Sequence, residues 1–550
     1  MALRFWAVTV GVMLGYVALV GRLYDLQIVR GERFLARAQS QYRAAVSLEA
    51  PRGIIYFTDK EGRRFPMALN KEFPIIYAVP RAIEDPAEAA HTLAGVLPFT
   101  AEELSTKFSK RVSLYEPLLK RADEELAREV EELGLKGVYA DTAPGRLYPN
   151  ASLGAHLLGF VGPDAEDDGE KGRYGIEEQY DASLRGVQGK QVEGGFTAPV
   201  AGEDVVLTID PALQAEAERT LTALAAAHRA DGGSIIVEEP RTGKILALAN
   251  HPSFDPNAYG RSPLAHFLNA AVQKIYEPGS VLKVVTMASA LDAGAVTPES
   301  TYTDHGMLTM NGYTIKNFDY ETHGGYGKVS MTRVIERSIN TGAVFAQQKL
   351  GNAAFLSYLK RFGLDQKTGI ALPGEVKGSV RPLLERGARD IVFATASYGQ
   401  GIAVTPLGLL QAVGVIANGG NLMRPYLDAR LEPQVVRRVI GEEAARQVTE
   451  MMVAAVDRAE IAKVSGFAIA GKTGTAFVPD FTKGGYTDDV VNTYVGFGPV
   501  SNPRFIILIK LDRPAEAPLA GTSVVPAFQS LAQFILNYYN ISPDRLTTSR

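Results

Sequence analysis

The chain contains no cysteine. Disulfides and thiol chemistry are therefore excluded, although the compartment stays open, because a protein outside a reducing cytosol need not use disulfides. It also lacks an excess of positive charge. Its 57 basic and 61 acidic residues give a formal net charge of -4, whereas nucleic-acid binders carry a strong basic bias. No nucleic-acid partner is expected. The 7 histidines are dispersed, with no His-Glu-x-x-His pair, and no glycine loop has the phosphate-binding pattern. No metal and no cofactor is expected either. After the first residues, no long apolar run is free of charge.

What is present fits a folded chain of more than one core. It has 550 residues, 46% hydrophobic and 21% charged, which is too long for a single ordinary domain. Phe5 to Gly21 is an uncharged run between Arg4 and Arg22. With Leu23 to Ile28 as an extension, and Arg22 snorkelling, it reads as one transmembrane anchor over residues 1–28.

The pattern behind that run changes twice. Tyr42 to Leu48, Ile54 to Phe57 and Phe73 to Val79 read as extended segments, with a turn at Asp59-Lys60-Glu61-Gly62. Asp123 to Leu133 reads as a solvated helix. Gly162 to Gly175 reads as a loop. A boundary falls near Pro199 to Glu203. Beyond it come a strand at Val205 to Ile209 and a helix at Pro211 to His228. Gly233 to Glu239 and Lys244 to Ala249 form a hairpin pair. Strand candidates return at Gly466 to Ala470, Asn492 to Phe497 and Arg504 to Leu511, before a closing helix at Thr522 to Tyr539. Strands at both ends with helices between predict an antiparallel sheet flanked by helices.

Three short elements carry chemistry. In Tyr276-Glu277-Pro278-Gly279-Ser280-Val281-Leu282-Lys283, a Pro-Gly stop precedes a helix that begins near Ser280 and is apolar on nearly all sides. Lys283 lies one turn beyond Ser280, so the two side chains face the same way. Burial lowers a lysine pKa, and a neutral amine beside a hydroxyl can take its proton. Taken alone, the pair reads as well as an N-cap serine beside a surface lysine. The second element is Ser338-Ile339-Asn340, in a helical-looking region ending before Thr341-Gly342. The third is Lys472-Thr473-Gly474-Thr475, after the strand-like Gly466 to Ala470. On an edge strand its open N–H groups, its hydroxyls and its positive charge suit a substrate carboxylate. Ser-x-x-Lys, Ser-Asp-Asn and Lys-Thr-Gly in that order form the joint signature of penicillin-binding proteins and related lactamases, and here the second element is Ser-Ile-Asn, which keeps the two outer polar residues.

On these residues the chain resembles the class B penicillin-binding proteins, the monofunctional peptidoglycan D,D-transpeptidases. Arg52-Gly53-Ile54-Ile55 is similar to the first N-terminal motif of that family, although Tyr56-Phe57-Thr58 departs from its continuation. Arg146-Leu147-Tyr148-Pro149 through His156 and Gly159 is similar to the second, and Gly172 to Glu177 to the third. Pro252 to Asn257 and Tyr398-Gly399-Gln400-Gly401 match the catalytic domain. Ala396 to Gly401 with Val495-Gly496-Phe497 is closer to the cell-division branch than to the elongation branch.

The resemblance implies an α+β protein in three parts. These are an N-terminal transmembrane helix, an elongated β-rich pedestal with a helical insertion, and a transpeptidase domain with a five-stranded antiparallel sheet flanked by helices. The expected divisions are 1–28, 29–202 and 203–541, with a polar tail at 542–550. It implies Ser280 as nucleophile, Lys283 as base, Ser338 as proton relay and Asn340 as the residue positioning Lys283 and the substrate amide. Lys472, Thr473, Gly474 and Thr475 would hold the substrate carboxylate. The expected partners are peptidoglycan stem peptides on lipid-linked or nascent glycan strands, a membrane glycosyltransferase of the cell-wall machinery, and β-lactams as covalent inhibitors. The anchor would place a single-pass protein in the cell membrane with its catalytic domain outside the cytoplasm. A non-catalytic β-lactam sensor and a D,D-carboxypeptidase are the alternatives.

Overall fold

Asp210 shows how local chemistry sets the elements. Its carboxylate accepts from the Ala212 and Leu213 N–H groups, and Pro211 follows at the first helical position, so the helix Pro211–His228 starts there. The computed structural model describes residues 2–24, 50–113, 115–164, 170–192 and 195–545. The extended segment expected at Tyr42 to Leu48 lies outside them. The chain divides into two compact units. One comprises Met1–Ile54, Leu69–Leu147 and Ala182–Glu203, and the other Ile55–Ala68, Tyr148–Asp181 and Asp204–Arg550.

In the first unit, residues 69–78 of the strand Arg64–Ala78 pair antiparallel with Val138–Leu147, and residues 76–78 also pair with Glu116–Leu119. The helices Pro86–Ala94, Ala101–Phe108 and Glu124–Glu132 bury Leu93, Leu104, Phe108 and Val130 with Ile76 and Val138 of these strands. Thr100 and Glu103 form a reciprocal capping box, and Asp123 caps the third helix. The same unit holds the N-terminal helix, Ala2–Tyr24. Among the described residues no helix is long and apolar enough to cross a membrane. Arg4 and Arg22 lie within this helix, so its uncharged part is limited to Phe5–Gly21, against the roughly 20 apolar residues that a bilayer core requires. The extension expected through Ile28 lies outside the described residues. The expected transmembrane helix over 1–28 is corrected accordingly, and so is the single-pass membrane placement that rested on it.

The second unit is built on a five-stranded antiparallel sheet. Its order is Lys244–His251, Gly232–Glu239, Phe505–Asp512, Tyr486–Gly498 and Ala470–Pro479. On one face Ile235, Val237, Ile507 and Ile509 pack with Leu213 and Leu221 of Pro211–His228 and with Phe528 and Leu531 of the closing helix Val524–Tyr538. Helix Pro406–Ala417 packs against the three inner strands, Gly232–Glu239, Phe505–Asp512 and Tyr486–Gly498. The helix Leu282–Asp292 is enclosed by other helices, and every residue from Leu282 to Leu291 is buried. Ile55–Thr58 pairs antiparallel with Arg64 to Ala68 and parallel with Val205–Val206.

Three expectations shift in detail. The strand foreseen at Gly466 to Ala470 begins only at Ala470, and Lys472-Thr473-Gly474 lies inside it rather than after it. Phe160–Pro163 and Glu170–Arg173 pair as a short hairpin within the expected loop. The region around Ser338 is two helices, Met331–Arg337 and Asn340–Leu350, and the second runs through Thr341 and Gly342.

Candidate active site

The nucleophile candidate sits on a tight turn. Gly279 adopts φ +55 and its N–H donates to Gly399 O at 3.2 Å. Gly399, at φ +89, approaches so closely that a Cβ there would lie 2.1 Å from Gly279 O, so only glycine fits. Ser280 follows in a 3-10 turn, Gly279–Val281, half-buried, and the helix proper starts at Leu282. Thr286 in that helix donates its hydroxyl to Ser397 O at 2.7 Å, which ties the helix to the same loop.

Lys283 is 1% exposed. Its Nζ donates to the Ser338 carbonyl and, at 3.2 Å, to Ser338 Oγ. Lys472 is also buried, and its Nζ donates to Ser338 Oγ at 2.9 Å and to Thr473 O at 3.0 Å. Burial and then the neighbouring Lys472 charge hold Lys283 well below the ordinary lysine range, with Asp319 acting weakly the other way. Burial brings Lys472 down to about 7. Ser338 ends its helix in the left-handed region, at φ +58, which is uncommon for a residue with a side chain. That turn presents both its carbonyl and its hydroxyl to Lys283.

The strand bearing Lys472 is the edge of the sheet and lies across the nucleophile turn. A Cβ at Gly474 would stand 2.9 Å from Pro278 O and 3.0 Å from Val281 Cγ2, so the approach depends on glycine. Ser280, Lys283, Ser338, Lys472 and Gly474 are thus brought together. Asn340 and Thr475 have other partners. Asn340 Nδ2 donates to Lys316 O at 2.8 Å. The Thr475 hydroxyl donates to Asn492 Oδ1 at 3.2 Å and accepts from Ala520 N–H at 3.2 Å.

Two supporting groups were not foreseen. Asp304, 2% exposed, accepts from Thr341 Oγ1 at 2.6 Å, from Asn317 Nδ2 at 2.9 Å and from the Gly306 and Tyr326 N–H groups, each at 2.9 Å. Burial alone would raise its pKa, but these bonds outweigh that and lower it. The network fixes the first turn of Asn340–Leu350. Its members are scattered over more than thirty positions, so no local pattern marks them. The other is Glu277, which stands inside the quoted Tyr276–Lys283 motif; its partners are distant in sequence.

A five-stranded antiparallel sheet among helices, with a lysine-bearing edge strand drawn across the start of a buried Ser-x-x-Lys helix, defines the architecture of a penicillin-binding transpeptidase domain. Residues 233–533 match the penicillin binding protein transpeptidase domain, and residues 47–194 match the penicillin-binding protein dimerisation domain. The chain is 30% identical to stage V sporulation protein D of Bacillus subtilis, over 95% of this chain and 83% of that one. It is 29% identical to the peptidoglycan D,D-transpeptidase FtsI of Escherichia coli, over 98% and 92%. A crystal structure of penicillin binding protein 3 from Mycobacterium, complexed with aztreonam, superposes with a TM-score of 0.70 at 26% identity, covering 90% of this chain and 98% of that one.

The chain belongs to the penicillin-binding protein family, as a class B-type D,D-transpeptidase related to FtsI and PenA and consistent with a cell-division-associated member. Homology and fold together support a peptidoglycan D,D-transpeptidase of the serine type.

Proposed function

We propose that this chain cross-links peptidoglycan stems through an acyl-enzyme on Ser280, in septal wall synthesis. The observation that carries the reading is the convergence of Lys283 and Lys472 on one hydroxyl, Ser338 Oγ, at 3.2 and 2.9 Å. A neutral lysine amine has two N–H bonds and one lone pair. Lys283 uses its N–H groups on Ser338 O and Ser338 Oγ, which leaves the lone pair for the Ser280 proton. The two lysines occupy both lone pairs of Ser338 Oγ, so its own hydrogen is directed outward.

The chemistry then balances. Ser280 Oγ attacks the carbonyl carbon of the penultimate D-Ala and its proton passes to Lys283. The N–H groups of Ser280 and Thr475 stabilise the oxyanion. Ser338 delivers a proton to the departing amine and is reprotonated by Lys283, which becomes neutral again, as the C–N bond breaks and D-Ala leaves. The ester on Ser280 is attacked by an amine of a neighbouring stem, whose proton returns through Lys283, and the serine hydroxyl is restored. Lys472 and Thr473 bind the terminal carboxylate, Gly474 lets their strand lie close, and Asn340 positions the stem amide. A glycosyltransferase of the cell-wall machinery supplies the glycan strands, and β-lactams enter as covalent inhibitors of the same serine.

The test is mass spectrometry of the intact protein after β-lactam treatment, with the modified peptide mapped. A single adduct on Ser280 is expected, and an adduct elsewhere, or none, defeats the reading. Ser280→Ala should stay folded and lose labelling. Incubation with lipid-linked disaccharide-pentapeptide and a glycosyltransferase then separates cross-linking from hydrolysis.

A further inference from the structure

Glu277 stands one turn before the nucleophile candidate and has no part in the chemistry above. Its carboxylate is half-buried and engaged on both oxygens by separate segments. Gly401 N–H donates to Oε1 at 3.0 Å. The Tyr486 hydroxyl donates to Oε2 at 3.0 Å. Gly401 closes the segment whose Gly399 carbonyl receives the Gly279 N–H. Tyr486 opens the strand Tyr486–Gly498 and pairs with Pro479, the last residue of the Lys-Thr-Gly strand.

That strand needs a second attachment. It is an edge, so Tyr486–Gly498 is its sheet neighbour on one side alone. Its near half is fixed where Gly474 meets Pro278 and Val281. Its far half carries a register irregularity between Phe477 and Pro479, and Phe477 is exposed. Through Tyr486, Glu277 connects the far half to the nucleophile turn.

We propose that Glu277 is a positioning residue for acyl transfer, and that its bond to Tyr486 latches the far end of the Lys-Thr-Gly strand over Ser280. One carboxylate would then hold the nucleophile turn, the loop behind it and the strand above it in a single geometry. Displacements of about 1 Å from the productive arrangement can cost about 100-fold in rate. Burial raises the Glu277 pKa, while the bonds from Gly401 and Tyr486 favour its charged form.

The inference rests on Ser280 being the acylated serine, and stopped-flow acylation by a fluorescent penicillin tests both. Glu277→Ala should lower the limiting acylation rate about 30-fold while the dissociation constant of the initial complex changes less than about threefold. Glu277→Gln should recover to within about threefold of wild type, since its amide can accept from Gly401 N–H and donate to the Tyr486 oxygen. Tyr486→Phe removes one hydroxyl from an exposed ring, so folding is spared, and it should slow acylation about fivefold. The double variant should be no slower than Glu277→Ala, because both changes break one contact. Wild-type acylation in Tyr486→Phe, additive losses in the double variant, or a Glu277→Gln as slow as Glu277→Ala overturns the latch. Absence of acylation at Ser280 in the wild-type protein overturns the nucleophile reading instead.

Discussion

Lys472 Nζ lies 2.9 Å from Ser338 Oγ, the hydroxyl that Lys283 Nζ reaches at 3.2 Å. Two buried ammonium groups around one oxygen repel, and the Lys472 charge is one cause of the low Lys283 pKa. The base works only when neutral, so acylation should rise with pH as Lys283 loses its proton. Lys472→Met removes the repelling charge. The Lys283 pKa then rises, and the acidic limb of the acylation profile should move to higher pH, with the plateau lowered at least about 100-fold by loss of a charged donor. Acylation rates measured across a pH series decide this; a limb that stays in place or moves to lower pH refutes the coupling.

Thr341 tests the framework beneath Ser338 and Asn340. Thr341→Val keeps the shape but deletes the 2.6 Å donation to Asp304 and the 3.0 Å contact with Tyr302 OH. Leaving a buried carboxylate short of a donor costs about 1–3 kcal/mol. The bonds that lower the Asp304 pKa contribute stability above its unfolded value near 3.8, and that contribution fades as pH falls through the lower folded value. Denaturant unfolding at neutral pH should show the loss, and acylation should slow as the first turn of Asn340–Leu350 shifts. A variant as stable as wild type would mean that the network is incidental.

Gly399 and Gly401 form a matched pair. Both have positive φ, at +89 and +76, so alanine strains the backbone at either. They differ in space. A Cβ at Gly399 meets Gly279 O at 2.1 Å, whereas at Gly401 the nearest atom is Thr395 Oγ1 at 3.7 Å. Gly399→Ala should therefore displace the nucleophile turn and lose at least about 100-fold in acylation, while Gly401→Ala keeps it within about tenfold. Equal losses in both variants would assign the effect to strain alone.

Local chemistry was legible in the sequence where spacing along one element was enough. Ser280 and Lys283 lie three residues apart where a 3-10 turn leads into a helix, Lys472 to Gly474 share a strand, and Pro211–His228 has the bounds that its cap and proline dictate. Contacts closed by the fold were not legible. Glu277 meets Tyr486 across 209 positions, and nothing near either residue marks the other. The left-handed turn at Ser338 was hidden for a related reason, because serine does not signal positive φ as glycine does. The strand Arg64–Ala78 was read only from Phe73 because its first half, with Pro66, Lys71 and Glu72, lacks the alternation of a half-buried strand. The N-terminal run reads as a membrane span from its lack of charge, yet the described helix carries arginine near both ends, and among the described residues no helix is long and apolar enough to cross a membrane.

Glu238 supplies a pH dependence separate from catalysis. It lies in a central strand between Ile245 and Ile506, 1% exposed, and its Oε2 has no hydrogen-bond partner among the described residues. Gly414 of the helix Pro406–Ala417 packs beside it, with the position of a Cβ 3.7 Å from Oε1. Burial pushes its carboxyl from 4.5 up to about 8. The folded state therefore keeps a proton that the unfolded chain has released. Its stabilising contribution is complete below about pH 4.5 and is lost as pH rises through about 8, at about 1.4 kcal/mol per pH unit in between. Glu238→Gln stays neutral throughout, so the fall in thermal midpoint between about pH 6 and about pH 9 should be smaller in the variant by several degrees. Parallel curves for the two proteins would show that the carboxyl does not hold its proton in the fold.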